Sequence, residues 1–363
     1  MNLSRSPYII EISELGQEGS KIELFLWTSG VQPLEPAYTL NKLIPASNSI
    51  NTYYNISPYV REFYNFSKWQ NATGIASNFP TSTNYIVNYA AKRYKLEGID
   101  TYVLIDTEVG QFMDGYGYYM DGYNPSPATV YLDQGTYLYD YNGAYPTTQG
   151  NGVFGSFDVP MLIGDTIRYT NLITGATVDY TTTALDEGVR SFARVYLLWH
   201  SEGNKVEKII GGSVKWTSIF KPLCESKYEP IIVDFINRYG SWSRIYFQKS
   251  SQRSIDIKTN QYKFNPKTLP FSPSNDGQIK SLNTNAKERI KLNTGWVNDS
   301  YGEYIQQLLL SERVTLLDYN YDSQYNPVTV KNKSLEKFKG INKGVINYSL
   351  EFEFAYDLIN TVV

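Results

Sequence analysis

The side chains that carry out most enzyme chemistry are scarce in this chain. It has one cysteine, Cys224, and one histidine, His200, among 363 residues. A single cysteine excludes intrachain disulfides and the zinc or iron–sulfur sites that need several cysteines. A Ser–His–Asp triad would have to use His200, which follows the apolar run 195–199 and is typical of a structural residue at the end of a buried strand. The sequence therefore predicts no catalytic residues, no metal and no cofactor.

Paired carboxylates could support glycoside hydrolysis. Glu351 and Glu353 lie two residues apart on a predicted strand, which places them on one face at about 7 Å. No aromatic cleft flanks them, so we interpret them as a charged surface pair. The glycine-rich loops that bind phosphate are also absent, because neither GxxxxGK[ST] nor a GxGxxG after a strand occurs. We expect the protein not to be an enzyme, and a depolymerase is the weakest functional alternative.

One internal repeat combines aspartate, glycine and tyrosine. Asp114-Gly115-Tyr116 is echoed seven residues later by Asp121-Gly122-Tyr123. Such segments form Asp-Gly turns in a hairpin or interface loop, or a platform on which tyrosine rings stack against sugars. The spacing of an EF-hand calcium loop is missing. The tyrosines that we predict to contact a partner protein or a glycan are Tyr116, Tyr118, Tyr119 and Tyr123.

The composition favours interfaces. There are 33 tyrosines against 16 phenylalanines and 6 tryptophans, and tyrosine suits surfaces that are partly wet and partly buried. The net charge of −3 and the lack of a basic stripe argue against specific nucleic-acid binding. No apolar run reaches 18 residues, so we expect no membrane association. No secretory signal begins the chain, so we expect synthesis in a cytoplasm.

Most segments alternate apolar and polar residues with a period of two, which is typical of β-strands. The strongest pattern runs from residue 346 to residue 356. The residues that it places on one face are Ile346, Tyr348, Leu350, Phe352, Phe354 and Tyr356. Residues 165–170 and 176–181 flank a short loop closed by Gly175, which predicts a hairpin.

Two short helices interrupt the strands. Ser57-Pro58 offers an N-cap followed by a proline at the first helical position. Ser300 and Glu303 match a capping box. The apolar stripe that follows the capping box consists of Tyr301, Tyr304, Ile305, Leu308 and Leu309.

These elements predict a mainly β fold of β-sandwich-type modules with two short helices and a β insertion. We place an N-terminal β-rich half at 1–110 and a Tyr/Gly-rich β insertion at 111–190. A C-terminal β-rich half follows at 191–363, with a helix near 300–313 and a terminal strand at 345–356. The proline-rich stretch 266–285 indicates a long loop or arm.

Several segments resemble virion proteins of tailed phages of Bacteroidota, the crAss-like phages among them. They are Pro36–Lys42, Tyr54–Phe63, Asn293–Val297 with Leu308–Glu312, and Asn347–Ala355. The resemblance brackets most of the chain and leaves out residues 111–190. It implies a structural protein of the tail or collar, arranged as a ring around the tail axis, and no catalytic residues accompany it.

The resemblance also implies partners and a location. The partners would be copies of the same chain in a ring, together with other tail, collar or portal-proximal virion proteins. DNA could pass through such an assembly without being bound specifically. The location would be the virion, reached from the host cytoplasm during assembly. The alternative function is a receptor- or glycan-binding tail module that uses the tyrosine-rich loop 112–124.

Overall fold

The computed structural model describes most of the chain. The described residues are 2–28, 31–45, 51–64, 87–98, 100–122, 124, 137–140, 153–161, 164–181, 191–198, 202–223, 231–238, 240, 242–247, 249–264, 278–298, 301–318, 322–332, 334 and 345–359. His200, Cys224, Tyr123 and Ser300 lie outside these residues. Within them the fold is mainly β and of the β-sandwich type, with two short helices, as the sequence predicts.

Backbone contacts group the chain into two compact units. Unit 1 contains residues 1–226, 234–245 and 300–312, and unit 2 contains 227–233, 246–299 and 313–363. The predicted boundaries near residues 110 and 190 stay a prediction. Two strands have residues in both units: β15 (Ile231–Ile236) and β16 (Trp242–Phe247).

Among the described residues, unit 1 holds fourteen strands and two helices. The strands are β1 (Asn2–Leu3), β2 (Ile9–Ser13), β3 (Gly19–Trp27), β4 (Tyr38–Leu43), β5 (Asn51–Asn55), β6 (Val87–Leu96), β7 (Tyr102–Met113), β8 (Tyr137–Asp140), β9 (Val153–Met161), β10 (Thr166–Asn171), β11 (Thr177–Thr181), β12 (Ser191–Leu198), β13 (Asn204–Ile210) and β14 (Ser213–Leu223). The helices are α1 (Ser57–Arg61) and α2 (Tyr301–Leu309).

The main core of unit 1 lies between two sheets and a helix. One sheet has the order β1-β7-β6-β3-β4, and the other pairs β2 with β5. Ile22, Leu24 and Leu26 alternate along β3 and are fully buried, as their period predicts. They pack with Ile10 of β2 and with Val60 of α1 in one apolar cluster. Unit 1 therefore carries a sandwich-type core of its own.

Two further sheets of unit 1 come from its middle third. One has the order β11-β10-β13-β14-β8, and the other pairs β9 with β12. The predicted hairpin is confirmed, since β10 and β11 pair antiparallel from Thr166 with Thr181 to Thr170 with Thr177. Gly175 closes the loop at φ +69°, a value that glycine adopts without strain.

Both predicted helices form, with one correction at a cap. Ile56 occupies the N-cap position of α1, without a capping hydrogen bond from its side chain, and Ser57 is already helical. The Ser57 hydroxyl donates instead to the Ser6 carbonyl at 2.7 Å, which is why it does not cap the helix. In α2 the apolar stripe is buried from Tyr301 to Leu308. No helix among the described residues is both long and apolar enough to cross a membrane.

Unit 2 is built on one sheet whose last five strands pair antiparallel. Its strands are β17 (Gln252–Lys263), β18 (Ile279–Asn298), β19 (Val314–Asp318), β20 (Asp322–Val330) and β21 (Val345–Phe354). With the two shared strands, the sheet has the order β16-β15-β19-β20-β21-β18-β17.

The terminal strand β21 supplies much of the unit 2 core. Its alternating residues from Ile346 to Phe354 are buried as predicted, whereas Tyr356 lies beyond the strand end and is exposed. The Phe352 ring meets the Phe247 ring at 5.9 Å in an edge-on arrangement. The expected loop over 266–285 is wrong for its last part, because residues 279–285 belong to β18 and pair with β17.

Candidate functional site

The predicted tyrosine loop begins where β7 ends and is tied down through its backbone. The Tyr116 amide donates to the Arg238 carbonyl at 2.7 Å, and the Gly117 amide donates to Ser6 Oγ at 2.8 Å. A single turn of 3₁₀ helix follows at Tyr119–Asp121. The Tyr118 amide donates to Asp121 Oδ2 at 2.9 Å and closes that turn. The segment is therefore part of the packed structure of unit 1.

The Tyr116 and Tyr118 rings pack against each other, with Tyr116 buried and Tyr118 partly exposed. Their centroids are 5.9 Å apart, and the planes meet at 71°. The Arg5 guanidinium lies 4.7 Å from the Tyr116 centroid, and the Arg238 guanidinium lies 4.3 Å from that of Tyr118. Neither hydroxyl oxygen is accessible to solvent. Burial raises the pKa of both phenols. Because a cation already covers one face of each ring, the geometry favours a structural role over sugar stacking.

Tyr119 is placed differently from the other two tyrosines. Its side chain is 97% exposed, and the neighbouring Met120 is also exposed. The structure thus brings Tyr116 and Tyr118 together but points Tyr119 into solvent, while the prediction for Tyr123 lies outside the described residues. Of the three loop tyrosines that the structure describes, Tyr119 is the one whose ring stays open for a partner or a glycan.

Arg238 is the centre of this cluster, and sequence reasoning missed it. Its guanidinium forms ion pairs with Asp121 and, at 3.7 Å, with Glu303, and its side chain is buried. Asp121 precedes Arg238 by more than a hundred residues, so no local motif links them. The two carboxylates balance the buried cation, and this balance is typical of an anchor between chain segments.

A close backbone approach fixes the first Asp-Gly turn. Gly240 has φ +85°, and a Cβ at that position would lie 2.8 Å from the Asp114 backbone nitrogen. Asp114 is itself buried and accepts a hydrogen bond from Ser4 Oγ at 3.3 Å. The Asp-Gly repeat therefore has a packing explanation in its first copy.

The paired carboxylates of β21 do not resemble a hydrolase dyad. The surface-pair interpretation is wrong for Glu353, which is buried and contacts Lys331 Nζ at 2.8 Å and Arg289 Nε at 3.0 Å. These cations lower the pKa of Glu353, with the Lys331 hydrogen bond as the largest cause. A general acid in glycoside hydrolysis needs a raised pKa, so Glu353 is unsuited to that role. The described residues also contain no cluster of three metal-ligating side chains.

The most unusual surface is a two-stranded ribbon in unit 2. Strand β21 pairs with β18 only from Arg289 onwards, whereas β17 follows β18 as far as Ile279. We call residues 255–263 of β17 and 279–288 of β18 the arm. Nine residues of β17 and ten of β18 make the arm about 30 Å long. Asn283 is an extra residue opposite the junction of Thr259 and Asn260, with φ +53°, and forms a β-bulge.

One face of the arm continues the core face of the sheet without a cover. Ile290 of β18 is fully buried against β21, and residues two positions apart share a face. On the arm this face contains Glu288 of β18, its cross-strand partner Ile255, and Ile257 two positions farther along β17. The two isoleucines are 59% and 68% exposed. Farther along the arm Ile279 is exposed on this face, and Tyr262 and Leu282 are exposed on the opposite face.

The opposite face at the root of the arm carries several ion pairs. Arg289 contacts Asp256 at 2.6 Å and Glu353 at 3.0 Å, and Lys287 contacts Asp357 at 3.9 Å. The C-terminal segment also covers one edge there, since the Leu358 amide donates to the carbonyl of residue 286 at 2.8 Å. Several ion pairs therefore hold the charged face of the root, whereas on the isoleucine face one pair, Arg253 with Glu288, precedes the exposed Ile255 and Ile257.

Comparisons with known proteins give no family for this chain. No family model, no curated protein and no solved structure matches it.

Proposed function

We propose that this protein is a structural component of a phage tail or collar, assembling into a symmetric ring with copies of itself. The observation that carries the proposal is the arm, a long ribbon with an uncovered apolar face. A two-stranded ribbon alone in water is marginally stable, and exposed strand edges pair readily with another chain. A neighbouring subunit would supply the missing cover.

The free energy available at the arm supports this role. Complete burial of one isoleucine side chain contributes about 1.5–3 kcal/mol. Ile255 and Ile257 retain 59% and 68% of their exposure, so covering both would contribute about 2–4 kcal/mol at each interface. In a closed ring every subunit donates one arm and receives one, so this contribution recurs at every interface.

Charge favours a second copy of the chain as the partner. The arm holds four lysines and two carboxylates, a net charge of +2. The whole chain carries −3, so the remainder carries −5. A positive arm and a negative body attract each other between copies, which helps orient a head-to-tail contact. Other tail, collar or portal-proximal proteins would flank such a ring in the virion.

The proposal is tested on the full-length protein and on the virion. We expect light scattering to give a mass that is a multiple of 41.5 kDa, and purified particles to contain the chain in a fixed multiple copy number. Electron microscopy of the oligomer should show a closed ring with the arms at its interfaces. A chain that stays at 41.5 kDa and is absent from purified particles contradicts the proposal.

A double variant tests the arm itself. Ile255→Thr with Ile257→Thr keeps two β-branched residues in the strand but removes most of the apolar area. We expect the subunit affinity to fall at least tenfold, while the free energy of unfolding of the monomer stays the same because both side chains are already exposed. The matched control is Ile173→Thr in the β10–β11 loop, where an exposed isoleucine stands outside the arm. Equal effects of the two variants would remove the arm from the interface.

A further inference from the structure

A second surface of unit 2 has the features of a ligand site and is separate from the arm. It is a cavity of about 410 Å³ on the solvent face of the sheet, a size within the usual range for small-molecule sites. The first residues of β17, the segment before them, β18 and β21 form its walls. Every residue that lines it belongs to unit 2 and is described by the structure.

The cavity has an exposed tryptophan on its wall because β18 contains a bulge. The register with β21 shifts between Asn293 and Trp296, and Gly295 takes φ +71°. Asn293 Oδ1 accepts the Gly295 amide at 2.7 Å, and Thr294 Oγ1 accepts the Tyr348 amide at 3.0 Å. The bulge thus turns Thr294 into the core and leaves Trp296 69% exposed. A bulge that re-aims a side chain in this way is characteristic of functional sites.

Two lysines lie beside the tryptophan, and one of them, Lys291, has Glu351 as its cross-strand neighbour. Lys249 and Lys291 both line the cavity, and neither forms an ion pair within the part of the chain that the structure describes. By contrast, Arg289 and Lys331 both form ion pairs with Glu353. The Lys249 stem lies across Gly295, where a Cβ would come within 2.6 Å of its Cε, so the absence of a side chain there makes room for the lysine.

Apart from Leu292 and Gly295, the remaining lining residues are polar and uncharged. Asn293, Asn347 and Ser349 line the β18–β21 side, and Ser251 and Gln252 line the other. Amides and hydroxyls can both donate and accept hydrogen bonds, which matches the mixed requirements of sugar hydroxyls. An open aromatic ring offers an apolar face to the C–H side of a pyranose.

We propose that this cavity binds an acidic saccharide, a pyranose that carries a carboxylate. The sugar ring stacks on the Trp296 indole, and its hydroxyls bond to the amide and hydroxyl walls. Lys249 and Lys291 bind the carboxylate. This site differs from the tyrosine loop that the sequence predicts, and it does not depend on whether the chain forms a ring.

Calorimetry with a tetrasaccharide of alternating glucuronate and N-acetylglucosamine tests the proposal on the full-length protein. The carboxyl-reduced form of the same tetrasaccharide isolates the contribution of charge, and AMP represents a stacking anion of another class. We expect the acidic sugar to bind at least tenfold more tightly than its reduced form and than AMP, with an affinity that falls as salt increases.

Three variants separate the parts of the site. Trp296→Ala should weaken binding of both sugars about tenfold, and Lys291→Ala should weaken only the acidic one. Lys258→Ala, an exposed lysine on the arm, is the matched control and should change neither. All three positions are exposed, so circular dichroism should show an unchanged fold. Equal binding of both sugars, tighter binding of AMP, or no binding at 10 mM sugar would each overturn the proposal.

Discussion

The most demanding test of the physical interpretation concerns a buried ion pair in unit 1. Lys208 lies in β13, and Asp165 directly precedes β10. Their Nζ and Oδ2 atoms are 3.1 Å apart, and the two side chains are only 2% and 3% exposed. The perturbation is Asp165→Asn, which removes one charge and keeps the size and shape of the side chain.

The expected loss of stability follows from the distance and the burial. At an effective dielectric constant of about 20, two unit charges 3.1 Å apart attract by about 5 kcal/mol. Removing the Asp165 charge takes this attraction away from a Lys208 side chain that stays buried, and breaking a buried pair in this way lowers stability by about 3–5 kcal/mol. We therefore expect Asp165→Asn to destabilise the sheet β11-β10-β13-β14-β8 by about 3–5 kcal/mol.

The same sheet contains a matched control. Arg168 and Asp179 form a two-pronged pair at 2.8 Å for each prong, but their side chains are 40% and 41% exposed. Exposed pairs contribute less than about 1 kcal/mol because water screens them. Asp179→Asn makes the same chemical change as Asp165→Asn, so the two variants differ in burial.

The assay is hydrogen exchange measured by mass spectrometry. A chain of two units does not have to unfold in one step, so exchange in peptides from β10 and β13 reports on this sheet directly. We expect Asp165→Asn to lower protection there by roughly two to four orders of magnitude and Asp179→Asn by less than about tenfold. Equal losses in the two variants would refute the reasoning that burial sets the strength of the pair.

Two further predictions concern backbone strain and pH. Gly240→Ala should lower the free energy of unfolding by more than about 2 kcal/mol, because the new Cβ meets the Asp114 backbone. The control Gly212→Ala, at φ +77° with open space around the new Cβ, should lower it by only about 1 kcal/mol. Urea unfolding measures both losses, and equal losses would rule out the clash as the cause. The Lys331 contact lowers the pKa of Glu353 in the folded protein. The stabilisation that the Glu353 carboxylate provides is therefore complete above the pKa of the unfolded chain, about 4.3, and is lost as the pH falls through the lower pKa of the folded state. Glu353→Gln should therefore flatten the fall in stability between pH 5 and pH 3, and an unchanged pH profile would contradict the assignment.

The sequence predicts those parts of the fold that repeat a local period. In β21 the alternation from Ile346 to Phe354 identifies the buried face, because residues two positions apart in a strand lie on the same face of the sheet. The stripe of α2 succeeds for the same reason at a period of 3.6. Where the strand ends the pattern misleads, as Tyr356 shows by its exposure.

The sites themselves depend on contacts that no local period encodes. Arg238 meets Tyr118 and Asp121 only because distant segments fold together. Trp296 resembles any apolar strand residue in the sequence, and only the bulge at Gly295 turns it into solvent. These features depend on tertiary pairing, so periodicity and composition could not reveal them.

The bulge at Asn283 lets the arm hold one extra residue without changing what it displays. Thr284 pairs with Thr259 and Leu282 pairs with Asn260, so deleting Asn283 would straighten the ribbon and leave Ile279 and Leu282 on their present faces, while β21 kept its register with Arg289. Related chains could thus lose this residue by a single-codon deletion and keep the same side chains on each face. Such a change would alter the local twist of the ribbon and leave the supporting sheet untouched.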